Sequence, residues 1–195
     1  GSHPESISVH AVFDNEEVGS CTRQGADSTF LEGVLGRINS GLGRSRQELL
    51  QALASSFMIS ADNAHAVHPN QGEKADPVNR PLMNRGIVIK YHGGQKYTTD
   101  AVSAAVFKEI CRRAEVPFQT FTNHSDIPGG STLGNLSSSH VAVRTVDVGL
   151  PQLAMHSPYE TAGVYDTWYF VRAAEEFFSS CLRAREGSCC LDGRR

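Results

Sequence analysis

An α/β fold, a mixed sheet flanked by helices, is predicted by three features of this 195-residue chain. Short β-rich runs alternate with amphipathic segments of helical period. Gly and Pro clusters punctuate the joins. Carboxylates and imidazoles stand near the ends of the β-rich runs, where α/β sheets place their chemistry.

The elements follow in order. Ile7 to Phe13 reads as a strand, with Ile7, Val9, Ala11 and Phe13 alternating against Ser8 and His10. An acidic loop containing Gly19 and Gly25 comes next. Residues 27–40 and 46–55 read as helices divided by Gly41-Leu42-Gly43. Phe57 to Asp62 is a short apolar strand that ends in a carboxylate. His65 to Arg85, rich in Pro, Asn and Gly, is expected to be a long ordered loop, a length that usually signals function. Gly86 to Tyr91 is a strand. Thr99 to Ala114 is a helix with Thr99 as N-cap and Val102, Val106 and Ile110 on one face. Phe118 to Thr122 is another strand, and the Gly-rich run Pro128 to Gly134 turns into a short helix. Val141 to Val148 is the most strand-like run. Residues 159–182 form a closing helix with Phe170, Ala174, Phe177 and Cys181 as its buried stripe. Strands separated by helices imply a sheet covered on both faces.

Composition narrows the function. An apolar fraction of 39% with mixed charges suits one globular domain with a sizeable core. A net charge of −3 gives no basic face for nucleic acid, so no nucleic-acid partner is expected. No apolar run approaches the roughly 18 residues that span a bilayer, so no membrane partner is expected either. The first residues lack the basic-then-apolar pattern of a secretory leader, which makes a cytoplasmic location the expectation. Gly1-Ser2-His3, without a methionine, reads as an expression scar or as the start of a piece from inside a longer protein. The five cysteines match neither a zinc ribbon nor a disulfide scaffold. Cys111 and Cys181 fall in helical patterns and read as small core residues. Cys189 and Cys190 lie in a polar stretch, residues 185–195, expected to be a disordered tail. Cys21, directly after the acidic pair, is the one cysteine placed near chemistry.

Three blocks carry the chemical signal. The first is Asp14-Asn15-Glu16-Glu17-Val18-Gly19-Ser20, the second Ser60-Ala61-Asp62 through His65 to His68-Pro69, and the third Gln152-Leu153-Ala154-Met155-His156-Ser157. A hydrolase built on divalent ions needs carboxylates and imidazoles as ligands, open coordination positions and one free base. Adjacent glutamates past a strand suit that division, with Glu17 as ligand and Glu16 as general base. Read alone, a Glu-Glu pair is an exposed acidic loop, and a lone His156 is a loop histidine. His65 and His68, three apart, fit either a zinc pair or a loop surface. Gly129 to Gly134 matches neither a Walker A loop nor a dinucleotide fingerprint. Its amides fit either an oxyanion cradle or an ordinary tight turn.

These blocks, in this order, resemble the signature blocks of the aspartyl aminopeptidases, the M18 metallopeptidases, over about Ile7 to Ser179. The resemblance implies the dinuclear zinc aminopeptidase fold and two divalent ions per complete site, zinc in the usual case and Mn²⁺ or Co²⁺ as alternatives. It assigns Glu16 as the base, Glu17 and His156 as ligands of one metal, and Asp62 as a ligand of the other. His65, His68, Lys90, Gly130 and Ser131 fall at substrate-side positions, and Glu160 stands behind the ligands. Lys90 suits pairing with an acidic side chain, so the implied substrate is a peptide beginning with Asp or Glu. The complete proteins of the family form large homo-oligomers.

The chain departs from that pattern in three respects. The family's N-terminal His-x-Asp motif, its metal-bridging aspartate and its inserted smaller domain have no counterpart before Glu16. Residues 1–184 therefore read as the C-terminal portion of a metallopeptidase catalytic domain, expected on its own to bind metal poorly and to turn over weakly or not at all. The alternative is a truncated, non-catalytic fragment or scaffold paralogue that keeps the fold. Another dinuclear hydrolase, such as a carboxypeptidase or deacylase, shares the metal logic but not the first block.

Overall fold

The computed structural model describes residues 6–185 and 188–192. Its sheet is built around β4 (Arg144–Leu153), which overlaps the run expected to be most strand-like, Val141 to Val148. β1 (Phe57–His65) pairs with it in parallel, and β2 (Ile87–Tyr91) pairs antiparallel on its other side. β3 (Phe118–Thr122) runs parallel to β2, giving the order β1-β4-β2-β3. A two-residue β5 (Thr161–Ala162) extends the end of β4. The sheet is mixed, as expected.

Alternation along the strands separates two faces. Ile87, Ile89, Val146 and Val148 point to one face, where α3 (Ala101–Ala114) and α5 (Val164–Ser179) cover them with Phe107, Ile110, Cys111 and Ala173. These side chains are almost entirely removed from water. Burial pushes the Cys111 thiol up to about 12, as suits a core residue. Val88, Lys90, Asp147 and Asp62 point the other way, toward α4 (Leu133–Ser138) and the loops after β2 and β3. α1 (Phe30–Gly41) and α2 (Arg46–Ala54) precede β1, tied at their junction by Asn39, whose amide donates to the carbonyls of Arg44 and Ser45.

Several elements differ from the sequence-based expectation. Residues 7–13 form no strand: Ile7, Val9 and Val12 are 73%, 45% and 75% exposed. Among the described residues no strand lies beside them, and a lone strand has no ladder partner to hold it. β1 continues to His65, so Asp62 lies within a strand rather than at its end. The cap of α3 is Asp100, which accepts from Ser103 N–H, because Thr99 is engaged with the backbone of Asp147. α5 starts after Gly163, and its buried stripe is Asp166, Ala173 and Glu176, with Phe170 and Phe177 half-buried beside it. In the stretch expected to be disordered, residues 188–192 form β7 (Ser188–Asp192), which pairs with β6 (Cys181–Arg185). Arg113 donates to the Leu191 carbonyl at 2.7 Å and ties that hairpin to α3. Residues 186–187 and 193–195 of the expected tail, and Gly1-Ser2-His3, lie outside the described residues.

Asp166, fully buried in the first turn of α5, locks the helix to the turn before β2. Its two oxygens accept from Asn84 N–H at 2.6 Å and Gly86 N–H at 2.9 Å. The Gly86 amide is buried and would cost about 1–3 kcal/mol if left unpaired, whereas Asn84 is exposed, so Asp166→Ala should lose about 1–3 kcal/mol in urea unfolding. Asp166→Asn, which keeps one acceptor, should lose less, and equal losses would show that the two amides do not need the carboxylate.

Candidate active site

The polar face of the sheet gathers one cation and several anions. Asp62 on β1 is in register with Gly149 of β4, and Gly149 in turn faces Val88 of β2. Lys90 must therefore cross β4 to meet Asp62. Gly149 lets β1 approach β4 closely there, since a Cβ would stand 2.7 Å from the Asn63 carbonyl carbon. The Lys90 ammonium donates to Asp62 Oδ1 and, at 2.8 Å, to the Asn63 carbonyl. It also lies 5.5 Å from the centre of the Tyr97 ring. Lys90 is 4% exposed, so this contact is made almost entirely out of water.

Behind it sits Asp147, fully buried in the middle of β4. Its Oδ2 accepts from Thr98 N–H at 2.6 Å and the Thr98 hydroxyl at 2.7 Å. Those bonds fix the segment that carries Tyr97. The first turn of α4 rests on the same carboxylate: a Cβ on Gly134 would come within 2.5 Å of Oδ1. Oδ1 and the hydroxyl of its register mate Ser60 both lack a hydrogen-bond partner. Burial drives the Asp62 carboxyl above its ordinary range, Lys90 pulls it back, and Asp147 and Glu17 push it further up.

The first and third sequence blocks meet at the end of β4. Ala154 and His156 adopt left-handed backbone, with φ of 57° and 67°, and the Glu160 carboxylate accepts from His156 N–H at 2.7 Å. This turn brings the His156 ring to Glu17, with Nε2 2.6 Å from Oε2. The acidic loop is itself pinned to the α4 end of the fold. Ser137 donates to the Ala26 carbonyl at 3.3 Å, and His140 meets Asp27 at 3.1 Å. Burial raises the Glu16 carboxyl first of all, and the charges of Glu17 and Asp62 raise it further. Cys21 is exposed beside Asp27, whose hydrogen bond and charge hold its thiol up and so oppose a nucleophilic thiolate.

The structure thus brings Glu16, Glu17, Asp62, Lys90 and His156 into one electrostatic cluster. His65, at the end of β1, belongs to its rim, 6.5 Å from the Phe121 ring. Although part of His65 meets water, the walls around it lower its imidazole first, and Lys90 and His156 add to the shift. His65 and His68 line a cavity of about 380 Å³ with Lys74, Phe121, His124 and Met155. His68 is exposed and accepts from Asn70 N–H at 3.1 Å. Gly130 and Ser131 are exposed ahead of α4, and no described contact joins them to the cluster. Sequence reasoning missed Asp147, Tyr97 and Gly149. A charge inside Val146-Asp147-Val148 was the available signal, since a carboxylate in a buried strand needs a reason to be there.

Metal ligation needs at least three converging donors that are not otherwise engaged. Among the described residues no group of three or more His, Cys, Asp or Glu side chains is placed to hold an ion. Glu17 and His156 supply a two-donor pair, and Asp62 is engaged by Lys90. By themselves, these residues do not fit an ion.

The chain is similar to known proteins over most of its length. The family model described as "Aminopeptidase I zinc metalloprotease (M18)" matches residues 2–178. A probable M18 family aminopeptidase 2 of Clostridium acetobutylicum is 54% identical over 175 residues, covering 90% of this chain and 40% of the relative. Its Pseudomonas aeruginosa counterpart is 46% identical over 168 residues, covering 86% and 38%. Among solved structures, the Ape4 and Nbr1 complex matches with TM-score 0.80 and 42% identity over 85% of this chain and 31% of the other. The S. cerevisiae mApe1 dodecamer matches with TM-score 0.71 and 33% identity over 85% and 36%. The chain spans about 40% of the length of the curated relatives it matches.

His65 supplies a pH test. Its imidazole is held below the ordinary 6.5 in the fold, so below that pH the unfolded chain binds more protons and stability falls on acidification. The urea midpoint of the wild type should drop more steeply from neutral to mildly acidic pH than that of His65→Gln. Parallel profiles would show that His65 titrates alike in both states.

Proposed function

The chain belongs to the M18 family of zinc metalloproteases, and on that premise we propose that it works as the C-terminal portion, residues 1–184, of a catalytic domain that removes N-terminal Asp or Glu from peptides. The observation that carries this reading is the approach of His156 to Glu17 at 2.6 Å, which joins two sequence blocks from opposite ends of the chain beside Glu16. Glu16 is the base that takes a proton from the attacking water. Its carboxyl, raised by burial, is a better base near neutral pH than an ordinary glutamate. Glu17 and His156 are this chain's donors toward one zinc ion, and Asp62 its donor toward a second. Segments of the family that have no counterpart here supply the remaining ligands, and Mn²⁺ or Co²⁺ suits the same mixed donors.

Lys90 is the cation that meets the acidic first side chain of the substrate, and a buried ammonium discriminates strongly in favour of a carboxylate partner. His65 and His68 line the cavity that receives the peptide. Gly130 and Ser131 remain substrate-side residues by motif position alone. The solved mApe1 dodecamer supports a homo-oligomer for the complete protein. No helix of the described residues is long and apolar enough to cross a membrane, and we place the protein in the cytoplasm. A second reading, an inert fragment or scaffold, is supported for the isolated chain by the lack, among the described residues, of a third donor beside Glu17 and His156.

The test is to graft this chain in place of the matched 175 residues of the Clostridium acetobutylicum relative. The chimera should release chromogenic Asp and Glu substrates in preference to Leu. Glu16→Gln should cut turnover by about 10²–10⁴-fold, the usual worth of a general base. The isolated chain, purified and dialysed, should hold little metal by elemental analysis and show little or no turnover. A Leu preference would refute the acidic specificity. Full turnover by the isolated chain would refute the partial site.

A further inference from the structure

The outer side of α5 is apolar, and we propose that it is a docking surface for a second copy of this chain, with the two α5 helices antiparallel. Val164, Trp168, Val171, Glu175 and Phe178 recur at alternating steps of four and three residues, so they lie in one line along the helix. That line runs opposite Ala173, which packs against the sheet with Phe170 and Phe177 beside it. Val164 is 82%, Trp168 52%, Val171 49% and Phe178 38% exposed, and Tyr165 next to them is 62% exposed. Aromatic side chains carry about 150–250 Å² each, so with the two valines these fractions leave roughly 500 Å² of apolar surface in water on one helix. The largest patch on a typical monomer is about 300–600 Å² and is often functional. With its polar rim, this one approaches the ~800 Å² that each partner gives to a standard interface.

The charges select the occupant and its direction. Arg172 is fixed at the edge of the stripe: its guanidinium stands 5.3 Å from the centre of the Trp168 ring and donates to the Ala114 carbonyl at 3.1 Å. Glu175 lies exposed within the stripe. A twofold axis through Val171 sets Val164 of one copy against Phe178 of the other. The same axis brings Glu175 of one copy to Trp168 and Arg172 of the other, and does so twice. A patch that is complementary to itself in this way is what a twofold interface requires. Parallel helices would instead set the two Glu175 carboxylates against each other, a like-charge contact that opposes association. A tryptophan with an arginine on its face, at the middle of an apolar patch, is also the composition of an interface centre.

Sedimentation equilibrium of the full chain tests this, and Trp168, its single tryptophan, is a second reporter. A monomer–dimer equilibrium with a Kd on the order of 10 μM is expected, since area alone does not convert to tight binding. Trp168 emission should move to the blue over the same concentrations, as the ring leaves water. Trp168→Ala should raise the Kd about 30-fold or more, the mark of an interface hot spot. Val171→Glu should leave only monomer. Both side chains are about half exposed, so the variants should keep the helical circular dichroism of the wild type. Glu175→Gln should weaken the dimer about 2- to 5-fold, the worth of a rim ion pair. A tighter dimer in that variant would refute the antiparallel arrangement. Ile38→Glu, on the exposed side of α1, should leave association unchanged. A chain that stays monomeric at hundreds of micromolar with unmoved Trp168 emission would overturn the proposal. So would a dimer that survives Trp168→Ala and Val171→Glu. Loss of the dimer in Ile38→Glu would make α1, and not a second α5, the occupant of the stripe.

Discussion

A buried ammonium that crosses one strand to reach a carboxylate on the next is the constraint from which the polar face of this fold follows. Lys90 lies out of water and Asp62 is mostly so, and neither charge would be tolerated there without the other. Their meeting spans β4, which runs between β1 and β2. The segment after β2 returns so that Tyr97 lies beside the ammonium. Asp147 fixes that return through Thr98. The ion pair and the mid-strand carboxylate therefore share one packed loop.

The candidate site has two parts with different mechanical support. Asp62, Lys90 and Asp147 are carried by paired strands, whose ladders fix side chains closely. Glu16, Glu17 and His156 ride on loops and depend on local devices: two left-handed residues, the Glu160 carboxylate and the links from Ser137 and His140 to the acidic loop. Sites on regular elements are held more firmly than sites on loops. In this chain the strand-borne part is largely buried, whereas the loop-borne pair is more than half exposed.

The sequence was most legible where period and punctuation agree. β2, α2, α3 and β3 fall within a residue or two of their expected places because each has a clear apolar pattern and a stop signal. The three chemical blocks were legible as blocks, and Glu16, Glu17, Asp62, Lys90 and His156 do converge. Other features depend on distant partners. Residues 7–13 have the alternation of a strand, but alternation specifies a face and not the neighbour that must supply the hydrogen bonds. Thr99 looked like a cap because Thr caps helices, yet its hydroxyl is taken by a strand far away in sequence. Gly130 and Ser131 were chosen by motif position, and motif position does not say which way a turn faces.

Asp147 shows how far such non-local demands reach. A carboxylate between Val146 and Val148 contradicts the local pattern, and local reasoning alone would replace it with an apolar residue. In the fold it holds two donors of Thr98 with one oxygen and faces the first turn of α4 with the other, where only glycine fits. Its charge also stands behind Asp62, opposing that carboxylate's ionisation while Lys90 favours it. The balance between one buried cation and two buried anions leaves the polar face short of positive charge. A face with that deficit favours a further cation, the arrangement expected where a protein is to receive metal ions or the free ammonium of a peptide. The buried sheet thus supplies the field toward which the exposed loops present Glu16, Glu17 and His156.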